Sequence, residues 1–401
     1  GMAESVDAAD SKSAAARCEG SSPSPGTNKI NGLENCSKKW AGFSVFGANL
    51  PRLIDRPAVA EQASPAASCK FGKAQDTPNI PDSSMALDPK AKALLDMVYR
   101  VGAPRFHELD VHQARRSFEK LHFALRPELP AVSSVTDVPI PGIHAHHGVI
   151  LSRLYRPLAA GPDDILPVTF YFHGGGWCVG DISSYDALCR ELANYSGGAV
   201  LSVDYRLAPE HPFPGAVDDA LHAVSWSLAN AALLGIDASR FALAGDSAGG
   251  TLSTVTALQL RNSGGPQAAL QLLIYPCTDI LSQRPSRRAY ASGFFLDTES
   301  LAWFFDKYLP NDDDWKDWRA SPLLADRFDG LPPATFIIAG CDPLADDCNA
   351  YAEALRAAGV PVTVHEFEGM VHGFFTLGKM FPQAGEAVEK AGLALRSALG
   401  Q

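Results

Sequence analysis

"FALAGDSAGG", residues 241–250, runs from an apolar stretch into a cluster of small residues around a single hydroxyl, that of Ser247. The apolar run reads as a buried strand, and residues 248–262 beyond it read as a helix. A strand end, a sharp bend and a helix start crowded around one residue need neighbours without bulk, and Gly245 and Gly249 flank Ser247 at a two-residue spacing. In an open sheet, ligands meet the carboxyl ends of the strands, where helix N-termini present unpaired N–H groups. Ser247 is therefore expected to hold its hydroxyl out of the sheet, where a nucleophile belongs.

The surrounding chain supplies the rest of such a sheet. "GVILSRLYRP" alternates like a half-buried strand, and "LPVTFYFHGG", "GGAVLSVDYR", "LQLLIYP", "PATFIIAG" and "PVTVHEFEG" are short β-rich runs. Helical stretches at 181–196, 214–234, 248–262 and 343–358 lie between them, so the expected fold class is α/β, a mostly parallel sheet covered on both faces. "RRAYASGFFLDTESLAWFFDKYLPNDDDW" is too long for a simple crossover and is expected to fold over the strand ends. Its partners there are two N-terminal helices. The first has Asp88 as N-cap, Pro89 at its first position and Gly102 as its stop. The second carries Val111, Ala114, Phe118, Leu121 and Leu125 on one face. Phe294, Phe295, Trp303, Phe304 and Phe305 are expected mostly to pack within this cover.

Composition narrows the class of ligand. At 401 residues, with 46% hydrophobic and 20% charged residues, the chain has an ordinary globular balance. A net charge of -11 disfavours nucleic acid and anionic membranes as partners and favours small molecules. No run of about eighteen apolar residues is present to span a bilayer, and the first thirty residues lack the apolar core of a secretory signal. The eight cysteines form no C-x-x-C pair; Cys178, Cys189, Cys277 and Cys341 read as buried free thiols, and a Cys341–Cys348 bridge is not indicated. These readings point to the cytoplasm. Residues 1–84, rich in Ala, Ser, Pro and Gly, read as a mobile leader, with Gly1 ahead of Met2 as a tag-cleavage remnant.

A serine hydroxyl becomes a nucleophile only when a base takes its proton and an acid orients the base. Asp342 follows an apolar strand and His372 follows the next, both on the sheet edge where Ser247 lies. The rival acids Asp346 and Asp347 fall within a helix, and the rival base His365 falls inside a strand. "YFHGGGW" supplies backbone donors for a developing oxyanion, taken here as the amides of Gly174 and Gly175, with Ala248 as the third. Neither G-x-G-x-x-G nor the P-loop pattern fits these glycines, which disfavours a nucleotide. "HAHH", residues 144–147, has no neighbouring carboxylate or cysteine and reads as surface rather than metal site. No cofactor is needed for this chemistry.

From about Met85 to its end the chain resembles the hormone-sensitive-lipase-like esterases of the α/β-hydrolases. The motifs are "HGGGW" (173–177), "DYRLAPEHPFP" (204–214), "GDSAGG" (245–250), "DPLADD" (342–347) and "HGF" (372–374). The resemblance implies Ser247 as nucleophile, His372 as base and then acid, Asp342 as its orienter, and His173 as a brace for the glycine loop. It also implies an α/β-hydrolase domain over 85–401 with a cap from 85–130 and 290–320, activity on short to medium acyl esters, and a monomer or homodimer. An amidase or deacetylase would use the same triad, and a non-catalytic receptor on this fold would lack one of its members.

Overall fold

The computed structural model describes residues 87–144 and 148–401. The leader expected at 1–84 and residues 145–147 of "HAHH" lie outside them. Helix α1 (Pro89–Arg100) begins where its signals placed it, with the Asp88 carboxylate accepting from the Lys90 N–H at 2.8 Å. Helix α2 (Val111–Leu125) opens with a reciprocal cap in which Asp110 and Gln113 each bond the other's backbone N–H.

Eight strands follow: β1 (Ser134–Pro141), β2 (Val149–Arg156), β3 (Leu166–Phe172), β4 (Ala199–Val203), β5 (Ile236–Asp246), β6 (Gln271–Ile274), β7 (Ala334–Cys341) and β8 (Val362–Val371). They form one sheet in the order β1-β2-β4-β3-β5-β6-β7-β8. Strands β3 to β8 run parallel, whereas β1 pairs antiparallel with β2 and β2 antiparallel with β4. The sheet is thus mixed at one edge: the short link between β1 and β2 closes a hairpin, and β2 pairs antiparallel with β4.

Among the described residues the further α-helices are α3 (Asp186–Ser196), α4 (Gly215–Ala229), α5 (Ala231–Leu234), α6 (Ala248–Asn262), α7 (Pro285–Ala289), α8 (Thr298–Tyr308), α9 (Ala345–Ala357) and α10 (Pro382–Leu399). Helix α10, not singled out in the sequence, packs along α3, while α6 packs on β3, β5 and β6 and against α4. Strand β3 is buried at every residue, as are β4, β6 and β7, which is why these runs are continuously apolar instead of alternating.

Register is what gathers the functional loops. Phe172 lies opposite Gly245 in the β3–β5 pair, so the glycine loop after β3 and the turn after β5 leave the sheet side by side. Cys341 lies opposite Val371 in the β7–β8 pair, which sets Asp342 and His372 next to one another, each one residue beyond the strand.

The approach of α6 to β3 is as close as backbone permits. A methyl group on Gly249 would run into the Phe172 carbonyl, and one on Gly245 would meet the Gly249 backbone. Gly249→Ala should therefore lower the melting temperature steeply or abolish soluble expression. Gly385→Ala, on α10 where an added methyl meets nothing within 4 Å, should change it little.

Candidate active site

Ser247 sits at the bend between β5 and α6 with φ +52° and ψ -118°, a conformation a non-glycine residue holds only when its surroundings impose it. The imposition is visible. The Ser247 N–H donates to the Ile274 carbonyl at 2.8 Å, tying the bend to the neighbouring strand, and the glycine contacts close it from the other side. The hydroxyl is left facing a cavity of ≈ 80 Å³ lined by Gly175, Gly176, Ala248, Phe304 and His372 among others.

His372 Nε2 lies 3.0 Å from Ser247 Oγ, and His372 Nδ1 lies 2.7 Å from Asp342 Oδ2. Asp342 is fully buried, and its second oxygen accepts the Leu344 N–H at 2.8 Å, which fixes the plane of the carboxylate. The structure thus brings Ser247, His372 and Asp342 into one hydrogen-bonded file. The rivals point elsewhere: Asp346 accepts from the Ser286 N–H, Asp347 is ion-paired with Arg284 and Arg287, and His365 lies within β8 opposite Ile337.

The glycine loop departs from the reading made on sequence. The Gly174 N–H is committed, at 2.8 Å to Asp246 Oδ1 and 3.1 Å to the Tyr185 hydroxyl, and Gly174 does not line the cavity. It has no donor left for an oxyanion. Gly175 and Gly176, with φ +113° and +56°, do line the cavity beside Ala248. The loop is clamped from both sides. Below it, Tyr171 and Tyr185 donate to the two oxygens of Asp246 at 2.9 and 3.0 Å. Above it, a methyl on Gly176 would collide with the Phe304 ring, and Trp177 stacks on Tyr308 with centroids 4.3 Å apart. His173 braces the loop from within, donating from Nδ1 to the Gly174 carbonyl at 2.8 Å and stacking on Tyr205 at 4.3 Å.

Burial pushes the Asp246 carboxyl up to about 6, and its three donors act against that rise. Within "GDSAGG" the sequence alone gives Asp246 no role. Its part emerges only when β3 and β5 are paired, since its donors come from residues 171, 174 and 185.

The cap residues meet the site from above. Arg115 of α2 forms a two-pronged pair with Glu210 at 2.9 and 2.6 Å and donates to the carbonyls of Cys178 and Ala208, fastening α2 to the core. His122, one turn beyond Phe118, is buried: Nδ1 lies 3.0 Å from the Phe118 carbonyl and Nε2 lies 3.1 Å from the Thr376 hydroxyl. Its sequence signal was a polar residue on the apolar stripe of α2. Phe294 packs as core against Tyr290, as expected, but Phe295, Phe304 and Phe305 line the cavity instead.

The α/β hydrolase fold model matches residues 169–376, a span that begins in β3 and contains Ser247, Asp342 and His372. This chain is an α/β-hydrolase. Among similar proteins is the ethyl acetate hydrolase of Pseudomonas putida, 38% identical over 311 residues, covering 76% of this chain and 96% of that protein. An arylesterase of Saccharolobus solfataricus is 33% identical over 291 residues, covering 72% of this chain and 92% of that one. Among solved structures, an ester hydrolase from the metagenome of Lake Arreo, complexed with a bipyridine phosphonate derivative, has a TM-score of 0.76 at 40% identity, covering 79% of this chain and all of that one (100%). Within the α/β-hydrolases the chain belongs with the esterases. No helix among the described residues is long and apolar enough to cross a membrane.

Two expectations follow for this α/β-hydrolase. Asp246→Ala strips the partner from three buried donors, each costing about 1–3 kcal/mol. Thermal unfolding should show a large loss of stability, and Asp246→Asn, which keeps an acceptor for Gly174, a smaller one. The second concerns acid. Burial holds the His122 imidazole down at about 4, below its ordinary 6.5. The unfolded chain therefore takes up that proton first, and stability is lost as pH falls from about 6.5 to about 4, by up to about 3 kcal/mol. Asp246, raised instead of lowered, contributes with the opposite sign, so the difference between wild type and His122→Phe isolates the histidine. The variant's stability deficit at pH 7 should shrink or reverse at pH 4.5 in denaturant titrations; a deficit independent of pH would contradict this.

Proposed function

We propose that Ser247, His372 and Asp342 are the catalytic residues of a serine carboxylesterase that cleaves short to medium acyl esters through an acyl-enzyme. The observation that carries this reading is the unbroken file from Ser247 Oγ through His372 to buried Asp342, 3.0 and 2.7 Å between successive partners. Ser247 Oγ attacks the ester carbonyl while His372 Nε2 takes its proton, and the carbonyl π electrons pass to oxygen. The tetrahedral intermediate collapses, the alcohol leaves with the proton from His372, and the acyl group remains on Ser247. Water then repeats the sequence: His372 takes its proton, the hydroxide adds to the acyl carbon, and the carboxylic acid departs as Ser247 regains a hydrogen. Asp342 holds the imidazole tautomer that presents Nε2 to the serine and offsets the charge of the imidazolium.

The oxyanion hole of this reading is formed by the amides of Gly175, Gly176 and Ala248, in place of the Gly174, Gly175 and Ala248 set taken from sequence. Gly174 serves as the anchor of the loop, held by Asp246. The small cavity at Ser247 supports short acyl groups. Ester hydrolases and carboxylesterases among the relatives support an ester over an amide. The five cysteines among the described residues are all buried free thiols, which supports work in a reducing compartment such as the cytoplasm. The acidic balance of the chain supports a small-molecule partner and not nucleic acid. The family resemblance supports a monomer or homodimer, which mass measurement in solution separates.

Stopped-flow mixing with p-nitrophenyl acetate should give a burst of p-nitrophenol equal to the enzyme concentration. Ser247→Ala should abolish it while leaving the unfolding transition close to that of wild type; a burst that persists would move the nucleophile elsewhere. Because the imidazole must be neutral to accept a proton, kcat/KM should fall on acidification, and a rate independent of pH would exclude His372 as base.

A further inference from the structure

The cavity at Ser247 has a neighbour. A second cavity of ≈ 130 Å³ lies against it, and Phe106, Phe118, Leu121 and Phe295 border both. Leu95 and Val98 of α1 give the second cavity an apolar wall, while Arg105, Asp297 and Ser300 give it a polar one. Arg105 Nη1 lies 3.4 Å from Asp297 Oδ2 there.

The shared wall has a fixed part and a strained part. Phe118 stacks on His122 with ring centroids 3.9 Å apart, and His122 stacks in turn on Tyr185 while bonded to Thr376. Phe118 thus packs on an imidazole that a buried hydrogen bond holds in place. Phe295 differs. It stands in the loop before α8 with φ +44°, a backbone conformation that a bulky residue adopts only under strain. Its ring lies against Gly373, since a methyl group there would sit 3.6 Å from it, and Gly373 adjoins His372.

Size gives the partition a meaning. An apolar cavity of about 150 Å³ holds one benzene. On that scale the chamber at Ser247, ≈ 80 Å³, takes about three carbons. The second cavity, ≈ 130 Å³, has room for about five more. A linear arm that passes the shared wall would therefore be bound over both.

We propose that the two cavities are one bipartite substrate site for esters carrying a single apolar arm of intermediate length, and that Phe295 is the residue that sets how far the arm reaches. This rests on the esterase reading above and adds to it the second cavity and the residue that limits chain length. The arm threads between Phe118 and Phe295, its methylenes meet α1 and α2, and its end stops at the Arg105–Asp297 pair, which an apolar chain does not displace.

The test compares chain-length profiles for p-nitrophenyl acylates from acetate to dodecanoate and for alkyl acetates of the same lengths. Phe295→Gly removes the ring and places at φ +44° the residue that tolerates it. It should move the optimum of one series outward, raising kcat/KM for eight carbons relative to four by about tenfold, the worth of between one and two newly buried methylenes at about fourfold each. Ser117→Phe, at an exposed position of α2 that lines only the second cavity, should lower the same ratio. Should Phe295→Gly fail to fold, Ser117→Phe reads the same partition from its far side. Unchanged ratios in both series and both variants would overturn the proposal while leaving the esterase reading intact.

Absence of turnover with every ester would instead defeat the esterase reading. The partition is then read by calorimetry, from the binding of linear methyl ketones to the Ser247→Ala protein. Affinity should rise with each methylene until the second cavity is full, and Ser117→Phe in that background should move the break to a shorter chain. A break at the same length with and without Ser117→Phe overturns the proposal by this route as well.

Discussion

The carboxyl end of β3 lies against the first turn of α6 with no room for a side chain between them, and the rest of the site hangs on that contact. Because the Phe172 carbonyl and the Gly249 backbone touch, the bend at Ser247 is forced into positive φ and the glycine loop leaves the sheet directly beside it. Asp246 then converts adjacency into attachment. Its carboxylate, one residue before the nucleophile, accepts the Gly174 N–H and so ties the loop to the strand that carries Ser247. A buried carboxylate is expensive, and charge-assisted bonds from Tyr171, Tyr185 and Gly174 offset that cost where a single donor would not. The arrangement fixes two functional elements relative to one another before any substrate arrives, which is what preorganised stabilisation of charge requires.

The cap is fastened to this base by polar contacts at its margins and apolar contacts over its centre. Arg115 reaches from α2 to Glu210 and two backbone carbonyls, and His122 reaches from the same helix to Thr376, four residues past His372. Helix α8 contributes Phe304 and Tyr308 against the glycine loop. The cover that encloses the reacting groups thus also presses on the elements that hold them, so cap packing and active-site geometry are coupled through a few contacts.

Much of this was legible in the chain. The continuous apolar runs mark strands buried on both faces, the small residues around Ser247 mark the bend, and the spacing of Asp342 and His372 after successive strands marks their shared edge. The antiparallel edge of the sheet was not legible, because the alternation of β2 fits either direction and its pairing with the distant β4 decides it. Nor was the choice among the three glycines of "HGGGW". Which amide is free depends on which is taken, and Gly174 is taken by a carboxylate 72 residues away. Phe295 and Phe304 read as cap packing because helical spacing does not say which face of an element looks inward. In each case the missing information is a long-range pairing.

The account stands on the claim that Gly174 anchors the loop while Gly175, Gly176 and Ala248 receive the charge. The structure of the enzyme inactivated by an alkyl phosphonate ester tests this directly. Phosphorus should be bonded to Ser247 Oγ, with the phosphonyl oxygen about 2.7–3.1 Å from the amides of Gly175, Gly176 and Ala248. The Gly174 N–H should still rest on Asp246. A phosphonyl oxygen bonded to the Gly174 N–H, with Asp246 released from it, would contradict the account.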